Sequence, residues 1–405
     1  MATNLQKSGL KRSLTLPLLT LYGLGVTVGA GIYVLIGATA AQAGAQAWLA
    51  FVIAALVAGC TAFSYAELST RFPVSAGEAA YVTAGLGRAG LATLVGGLVA
   101  MSGLVSASAI TVGASGYLHT LTGAPATLLI VGIVVALAML ALWGIKQSVM
   151  VAGAITVLEI LGLVCVIIWG GFVADHAGVA PADLIPSLDV AVWSGILGAT
   201  VLAFFAYIGF EDMVNVAEEV ENPRRTMPLA IIVTLVVATV FYCAVSISVL
   251  LAVPVETLAT SHAPLTLVFA TAPSQIQLLF AALAVVATVN GVLIQMIMVS
   301  RVLYGMADQG NLPNVLARLS ERTQTPTVAT GLVAAGILVL SLFLPVEQLA
   351  ERTSQIVLIV FVFINVSLIA IKRRDDKKGD HFRVPILLPV FGALTSAALL
   401  VASLF

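Results

Sequence analysis

The sequence predicts an all-α integral membrane protein, and three observations support that prediction. Hydrophobic residues make up 60% of the 405-residue chain and charged residues only 9%, against about 25% charged residues in soluble domains. The mean hydropathy is +1.11. Apolar stretches of about 20 residues, the length that crosses a bilayer as a helix, recur along the whole chain. The net charge of −1 and the absence of a basic patch also argue against a nucleic-acid partner.

About eleven stretches are long enough to span the membrane. Their predicted bounds are 15–39, 47–68, 91–118, 124–143, 148–173, 190–219, 228–252, 276–304, 326–344, 353–371 and 383–404. The first stretch is too long and too rich in glycine for a signal peptide, so we expect it to be retained. The units predicted from these bounds are a cytoplasmic N-terminal tail at 1–14, a first repeat of five spans at 15–173, a second repeat of opposite topology at 190–371, and an additional span at 383–405.

The distribution of positive charge predicts the orientation of the chain. With the N-terminus in the cytoplasm, every one of the 18 Lys and Arg residues except Arg352 falls on the inner side, as the positive-inside rule requires. The basic stretch 372–383 is then a short inner loop that anchors the topology. An odd number of spans places the C-terminus outside, and we expect the membrane to be a bacterial plasma (inner) membrane.

The first span contains Gly29-Ala30-Gly31 near its middle. Unwinding there would leave backbone N–H groups without partners, and such groups at the start of a half-helix attract an anion such as a carboxylate. A second interpretation explains the same glycines equally well. In it, Gly25-x-x-x-Gly29 is a helix-packing motif of the kind common in membranes.

The sixth span contains a matching interruption at 205–209. Unwinding there would free carbonyl oxygens that suit an ammonium group, and two aromatic side chains could cover the ligand. A pair of interrupted helices at matching positions in two halves indicates the midplane site of a secondary transporter. A carboxylate site facing an ammonium site describes an amino acid, and since no acid lies within the breaks, a neutral one is favoured. The candidate substrate-binding residues are Gly29, Ala30, Gly31, Phe205, Ala206, Tyr207, Ile208 and Gly209.

Glu159 is the candidate group for proton coupling. It lies near the centre of the fifth span with no other charged residue within ten positions. An ionised acid there costs at least ~2.5–3.5 kcal/mol on insertion scales. We therefore expect it to face the protein interior and to bind and release a proton, the alternative being a permanently protonated Glu in a structural hydrogen bond. Glu211 and Asp212, just beyond the second break, are the next candidates.

The sequence lacks the residue patterns that a metal site, an ATP site or an enzyme active site would need. Nothing pairs the histidines with Cys or Asp at ligand spacing, so we expect no metal. No phosphate-binding loop for ATP is present, so we expect no cofactor. No nucleophile–base pair is evident either, so we expect no enzyme. The four histidines are His119, His176, His262 and His381.

Short motifs along almost the whole chain resemble those of the amino acid–polyamine–organocation (APC) superfamily, and they occur in the same order as in that superfamily. The run from Gly25 to Tyr33 is similar to the Gly-Ser-Gly-Ile-Phe signature of that superfamily, with Ala30 for Ser and Tyr33 for Phe. The likeness is strongest to the bacterial branch that resembles cationic amino acid transporters. Further matching segments are 64–68 in the second span, 204–211 and 217–223 at the sixth, and 300–307 with 311–313 at the eighth.

This resemblance implies the leucine-transporter fold, with 5+5 inverted repeats plus one extra C-terminal helix. It also implies that backbone groups of both breaks bind the substrate. Proton-coupled relatives carry a Lys where this chain has Glu159; because a carboxylate could also bind a cation, sodium coupling stays an alternative to proton coupling. Glu211 matches an acid that some exchangers use as a proton-linked gate.

The predicted function is a proton-linked amino acid permease that works by alternating access, with amino acid, protons and membrane lipid as its partners. The alternatives are an exchanger without ion coupling and, from a different class, a non-transporting sensor or a subunit of a larger complex. The loop between spans three and four has no Cys, so we expect no disulfide-linked heavy chain.

Overall fold

The computed structural model describes residues 12, 14–28, 31–74, 77–142, 149–174, 179–308, 310–321, 325–374 and 381–404. Within these ranges the chain is helical and forms no strand, although two isolated bridges join Leu14 to Val220 and Leu319 to Pro326. Gly29, Ala30 and most of the predicted tail at 1–14 lie outside the described residues. The predicted all-α class is confirmed for the part of the chain that the structure describes.

The helix bounds follow the predicted spans, but one helix begins at Pro223 instead of 228, another ends at Asp308 instead of 304, and two short helices lie in predicted loops. The helix predicted at 353–371 begins at Val346, because the polar residues Glu347, Glu351 and Arg352 continue it beyond the apolar window. The described α-helices are α1 (Leu16–Val28), α2 (Gly31–Ala43), α3 (Ala47–Arg71), α4 (Gly77–Leu86), α5 (Ala89–Thr122), α6 (Ala126–Leu142), α7 (Val149–Phe172), α8 (Val190–Phe205), α9 (Pro223–Ala252), α10 (Val255–Ala259), α11 (Ser274–Asp308), α12 (Thr327–Phe343), α13 (Val346–Arg374) and α14 (Leu387–Ala402).

Seven helical stretches among the described residues are long and apolar enough to cross a membrane, and α6, α12 and α14 are shorter apolar helices. Large apolar side chains on this bundle are exposed, among them Leu56, Met139 and Leu279. In water such a surface would be unfavourable, whereas in a bilayer it contacts lipid. The chain is therefore a multi-pass membrane protein. The first of the seven stretches, Leu16–Arg71, contains two of the predicted spans, and the total of eleven stays a prediction.

Small residues allow the helices to pack closely. The helix α5 lies along α11 and α13, and α3 lies along α9. A Cβ on Gly103 of α5 would lie 2.6 Å from the side chain of Val299 of α11, and one on Gly85 of α4 would lie 2.5 Å from that of Ser367 of α13. Lipid gives no hydrophobic drive for helices to associate, so close backbone approach at such residues contributes much of the packing energy.

One end of the bundle is held by a buried charge cluster, the Glu67 cluster, formed by Glu67, Arg71, Lys372 and Val384. The Arg71 Nε and Nη2 atoms donate to Glu67 Oε1 at 2.9 and 2.6 Å. Lys372 Nζ lies 2.6 Å from Glu67 Oε2, which also accepts the Val384 N–H at 2.8 Å. The Glu67 side chain is fully buried. The cluster joins α3, α13 and the segment leading into α14, so Lys372 does more than anchor the topology.

The start of α1 is joined at the backbone to the segment that follows α8. The Leu14 N–H donates to the carbonyl of Glu219 at 3.0 Å, and the Glu221 N–H donates to the carbonyl of Leu14 at 2.9 Å. Leu14 and Val220 are both buried. These backbone hydrogen bonds therefore attach the segment before the first predicted break to the segment after the second predicted break.

We expect Glu67→Gln to destabilise the protein strongly. The amide cannot neutralise Arg71 and Lys372, and breaking a buried ion pair by removing one partner costs about 3–5 kcal/mol. The measurement is the thermal unfolding midpoint of the detergent-purified protein. Glu347→Gln is the matched control, because Glu347 is exposed, and it should leave the midpoint close to that of the unchanged protein. Equal shifts of the unfolding midpoint in the two variants would contradict the conclusion that the Glu67 cluster stabilises the bundle.

Candidate functional site

The helix of the sixth predicted span is interrupted where the sequence predicted a break. The helix α8 ends at Phe205, a turn covers 206–209, and a 3₁₀ segment follows at Phe210–Glu219. The N–H groups of residues 206–208 donate three residues back instead of four. Gly209 has a φ of +127°, which favours glycine, and a Cβ there would lie 2.9 Å from the backbone carbonyl of Val26. The regular ladder is lost over these residues, and backbone groups become available to other partners.

The second break touches the start of α2 directly. The helix α1 ends at Val28 and α2 begins at Gly31, while Gly29 and Ala30 lie outside the described residues. A Cβ on Gly31 would lie 2.3 Å from the Cα of Ala206. Glycine is therefore required at 31 because the two chain segments approach each other at their backbones.

Gly25 has a packing role of its own. A Cβ at this position would lie 2.1 Å from the Oγ1 atom of Thr156 on α7. The glycines of the first span therefore serve two purposes. Gly25 brings α1 close to α7, as in the packing interpretation, and Gly31 brings α2 close to the second break.

The hydroxyl of Tyr242 on α9 lies between carbonyl oxygens from both segments. It lies 2.7 Å from the carbonyl oxygen of Thr27 and 2.6 Å from that of Ala206. Tyr242 is fully buried, and its ring meets that of Tyr207 edge to face at a centroid distance of 5.0 Å. The hydroxyl carries a single proton, which it shares between these two carbonyls, so it bridges the end of α1 and the second break. Sequence reasoning missed Tyr242, because its hydroxyl is one of several in this span, beside those of Thr234, Thr239, Ser246 and Ser248.

Further tyrosines attach the first break region to its neighbours. Tyr33 Oη donates to the backbone carbonyl of Glu159 at 2.9 Å, and Tyr117 Oη donates to the backbone carbonyl of Tyr33 at 2.6 Å. At the second break, Tyr207 Oη donates to the carbonyl of Phe51 at 3.0 Å. These bonds hold α2 between α5 and α7, and the turn after α8 against α3.

The Glu159 side chain is buried, with 1% of its surface exposed. Neither carboxylate oxygen has a partner at hydrogen-bond distance, although the Asn290 side chain of α11 is near enough to interact weakly with the carboxylate. The expectation that Glu159 faces the protein interior is therefore confirmed in position. A buried carboxylate that accepts no hydrogen bond and forms no ion pair is strongly disfavoured in its ionised form.

A small cavity lies beside the second break, and we call it the acid chamber. Its walls come from α3, α4, α5, α11 and α13 and from the chain at 208–212. Its acidic lining residues are Glu78, Glu211 and Asp212. Of the predicted substrate-binding residues, Ile208 lines this cavity, whereas Phe205, Ala206 and Tyr207 are buried in packing contacts outside it.

The acids of the chamber differ in their surroundings. Glu211 Oε2 accepts the Gly209 N–H at 2.8 Å, so this carboxylate stabilises the break itself. Glu78 Oε1 accepts a hydrogen bond from Tyr65 at 3.3 Å. Burial, reinforced by the neighbouring Asp212, raises the pKa of Glu78 on the connecting helix α4 to about 7. Sequence reasoning missed Glu78 because it lies in a predicted loop, where an acid is ordinarily solvated.

We expect Gly31→Ala to destabilise the protein by about 1–3 kcal/mol, because the added methyl group must push the backbone of Ala206 away. The measurement is the thermal midpoint in detergent. Gly132→Ala is the matched control, because a Cβ there meets no atom within 4 Å and alanine favours the helix by ~1 kcal/mol. A stable Gly31→Ala variant would show that the two segments are not in backbone contact.

Comparison with known proteins gives a consistent result. The model of a family described as amino acid permease matches residues 15–405. The chain is 31% identical over 392 residues to cationic amino acid transporter 2, vacuolar, from Arabidopsis thaliana, covering 90% of this chain and 60% of that protein. It is 31% identical over 407 residues to the branched-chain amino acid permease BcaP of Bacillus subtilis, covering 95% and 86%. It is 28% identical over 414 residues to the methylthioribose transporter of the same bacterium, covering 96% and 87%.

These relatives are named as transporters or permeases and not as enzymes, in agreement with the prediction that the chain is not an enzyme. The chain spans about 60% of the length of the plant relatives that it matches. The family match covers nearly the whole sequence, including both predicted breaks. The chain therefore belongs to the amino acid permease family of the APC superfamily.

Proposed function

We propose that the chain is a secondary active transporter that moves amino acids across a bacterial plasma membrane by alternating access, coupled to protons. The observation that supports this most directly is the contact between Gly31 and Ala206, which joins the start of α2 to the second break. In the proposed leucine-transporter fold, of 5+5 inverted repeats with about eleven membrane helices, these segments are the matching interruptions of the first and sixth spans. Small rotations there would open the site to one side or the other.

The two breaks supply complementary partners for an amino acid. In the proposed binding mode, N–H groups at Gly29, Ala30 and Gly31 hold the carboxylate, since free N–H groups at a helix start attract anions. Carbonyl groups at 205–209 hold the ammonium group. No acid lies within the breaks themselves, which favours neutral amino acids at this position. The names of the relatives, which include cationic and branched-chain amino acids and methylthioribose, do not by themselves decide between substrates.

Proton coupling is proposed to act through Glu159, with Glu211 as the second group. The argument for Glu159 is its burial without a hydrogen-bond partner. A neutral carboxylic acid is tolerated in such surroundings, whereas an ion is not. A change in the protonation of Glu159 would affect the first break, because the hydroxyl of Tyr33 on α2 donates a hydrogen bond to the backbone carbonyl of Glu159.

The proposal is tested by uptake of radiolabelled amino acids into liposomes that contain the purified protein. A proton-coupled transporter accumulates substrate when the outside is made acidic, without substrate inside. An uncoupled exchanger takes up label only when the liposomes are preloaded with substrate. Failure to take up any amino acid under either condition would contradict a transport function and favour the sensor or subunit alternative.

We expect Glu159→Gln to remove the dependence of uptake on external pH. In the unchanged protein, uptake should rise as pH falls, because protonation of Glu159 precedes transport. The amide has the shape of the neutral acid but binds no proton, so its pH profile should be flat while substrate binding stays measurable. Glu256→Gln, at an exposed position, is the control and should keep the original profile. An unchanged profile in Glu159→Gln would remove this residue from the coupling role.

We expect Tyr242→Phe to lower the maximal uptake rate several-fold. Loss of the hydroxyl leaves the carbonyls of Thr27 and Ala206 without their donor, and an unsatisfied buried acceptor costs ~1–3 kcal/mol. Tyr81→Phe is the matched control, because the Tyr81 hydroxyl is buried and has no hydrogen-bond partner. That variant should transport at the original rate. Equal rates in the two variants would mean that the Tyr242 hydroxyl does not position the breaks.

A further inference from the structure

The acid chamber brings three carboxylates close to one another. They are Glu78 of α4 and Glu211 and Asp212 of the segment after α8. Among the described residues, no Lys, Arg or His side chain forms an ion pair with any of them, whereas the buried Glu67 contacts two basic side chains. Like charges in one small site oppose the ionisation of every member. At least one of the three acids is therefore expected to keep its proton.

The size of the chamber limits what it can hold. Its volume is about 20 Å³, and about 10–15 Å³ is enough for one water molecule. An amino acid side chain does not fit in this space. A metal ion is also poorly suited, because no group of three His, Cys, Asp or Glu side chains in the described chain is arranged to hold one. The occupants that match the chamber are a water molecule and a proton held by the carboxylates.

An independent feature, the Gln295 side chain of α11, indicates a hydrogen-bond donor in the same cavity. Gln295 lines the chamber with 6% of its surface exposed, and its Oε1 atom has no hydrogen-bond partner. A Cβ on Gly103 would lie 3.1 Å from this oxygen, so the glycine leaves room for the amide. A buried amide oxygen without a donor costs free energy. A water O–H supplies that donor, and the carboxylates supply the other polar partners that a buried water molecule requires.

Glu78 is the acid of the chamber that lies outside the membrane-spanning helices. It belongs to the connecting helix α4, is buried, and accepts a hydrogen bond from the Tyr65 hydroxyl at 3.3 Å. Burial, together with the negative charge of Asp212, raises the pKa of Glu78 to about 7. A group with this pKa gains and loses a proton close to neutral pH. In the predicted topology, α4 lies at the cytoplasmic end of the bundle.

The other groups around Glu78 and Asp212 are mainly acids and hydroxyls. Asp212 interacts with Tyr22 of α1, which also interacts with Arg301 of α11. At the opposite end of α4, Arg374 of α13 donates to the carbonyl of Gly85. The titratable groups that interact with Glu78 are Tyr65, Tyr81, Glu211 and Asp212. The lining side chains of α5 and α13 are neutral, namely Val99, Ser102, Ser106, Val357, Val360 and Phe361.

We propose that the acid chamber is a second proton-binding site, in which Glu78 and Asp212 share one proton through a bridging water molecule. The neutral Glu78 O–H donates to the water, and the water donates to the Asp212 carboxylate and to Gln295 Oε1. One proton moves from Glu78 to the water as another moves from the water to Asp212, so the water is unchanged. Glu211 stays at the second break, where its Oε2 atom accepts the Gly209 N–H.

This inference rests on the proposed proton coupling and adds the pair that exchanges the proton with the cytoplasm. Loss of the shared proton leaves Glu78 and Asp212 both ionised beside Glu211. Their repulsion then favours separation of α4 from the second break, because like charges at short range repel strongly in a poorly hydrated site. The chamber thus links release of the proton to opening of the cytoplasmic end.

The first test is the thermal unfolding midpoint of the detergent-purified full chain, measured against pH without substrate. The midpoint should fall as the pH rises from about 5 to about 7 and then level off, because the folded chain retains a proton on Glu78 that the unfolded chain releases near the ordinary pKa of 4.5. Glu78→Gln should reduce that fall. Asp212→Asn removes the adjacent charge and should move the fall to lower pH. Glu256→Gln, at an exposed position, should keep the original profile.

The second test measures uptake into right-side-out membrane vesicles that contain the full chain, with the internal pH varied at a fixed external pH. Uptake should fall several-fold when the interior is changed from about pH 8 to about pH 6, on either side of the pKa of Glu78. An acidic interior keeps the proton on the pair. Glu78→Gln has the shape of the protonated acid, so its uptake should stay at the low rate at both internal pH values.

The outcomes separate this inference from the proposed function. A flat midpoint profile in the unchanged protein, or a profile that Glu78→Gln leaves unaltered, would overturn the chamber as a proton site and leave amino acid transport in place. A fall that stays at the same pH in Asp212→Asn would overturn the shared proton, and this variant decides if Glu78→Gln does not fold. The expected midpoint shifts without uptake of any amino acid would support the proton site and remove the proposed transport.

Discussion

The requirement that buried backbone groups find partners inside a membrane controls the centre of this structure. A helix that is interrupted within a bundle exposes carbonyl and N–H groups where bulk water is absent, and such groups must be satisfied by the protein. Here the carbonyls of Thr27 and Ala206 meet the hydroxyl of Tyr242, and the N–H of Gly209 meets the carboxylate of Glu211. Side chains from α9 and from the second break itself thus replace the regular helical ladder.

That requirement also explains why small residues and tyrosines occur together around the breaks. Gly31 lets two backbones come into contact, and Gly209 lets the chain turn against Val26. Each close approach limits the space for side chains, so the remaining donors must reach in from neighbouring helices. Tyrosine suits this role because its ring packs in an apolar helix interface while its hydroxyl reaches a backbone acceptor. Tyr33, Tyr117, Tyr207 and Tyr242 all do so.

The features that could be predicted from the sequence are those encoded locally. Composition and the length of the apolar runs predicted the all-α membrane class and most helix positions. The run 205–209 predicted the second break, because glycine after an aromatic run is poorly suited to a continuous helix. The features that were missed depend on residues far apart in the chain. Eight predicted spans separate Glu67 from Lys372, and nothing near either residue in the sequence indicates the other.

Two buried carboxylates of this bundle, Glu67 and Glu159, have opposite surroundings. Glu67 receives donors from Arg71, Lys372 and the Val384 N–H. These charge-assisted bonds, each stronger than a neutral hydrogen bond, join α3 to α13 and to the segment that leads into α14. Glu159 is equally buried, but neither of its carboxylate oxygens has a partner at hydrogen-bond distance, so it lacks the donors that surround Glu67. The number of donors, and not burial alone, therefore distinguishes the surroundings of these two acids.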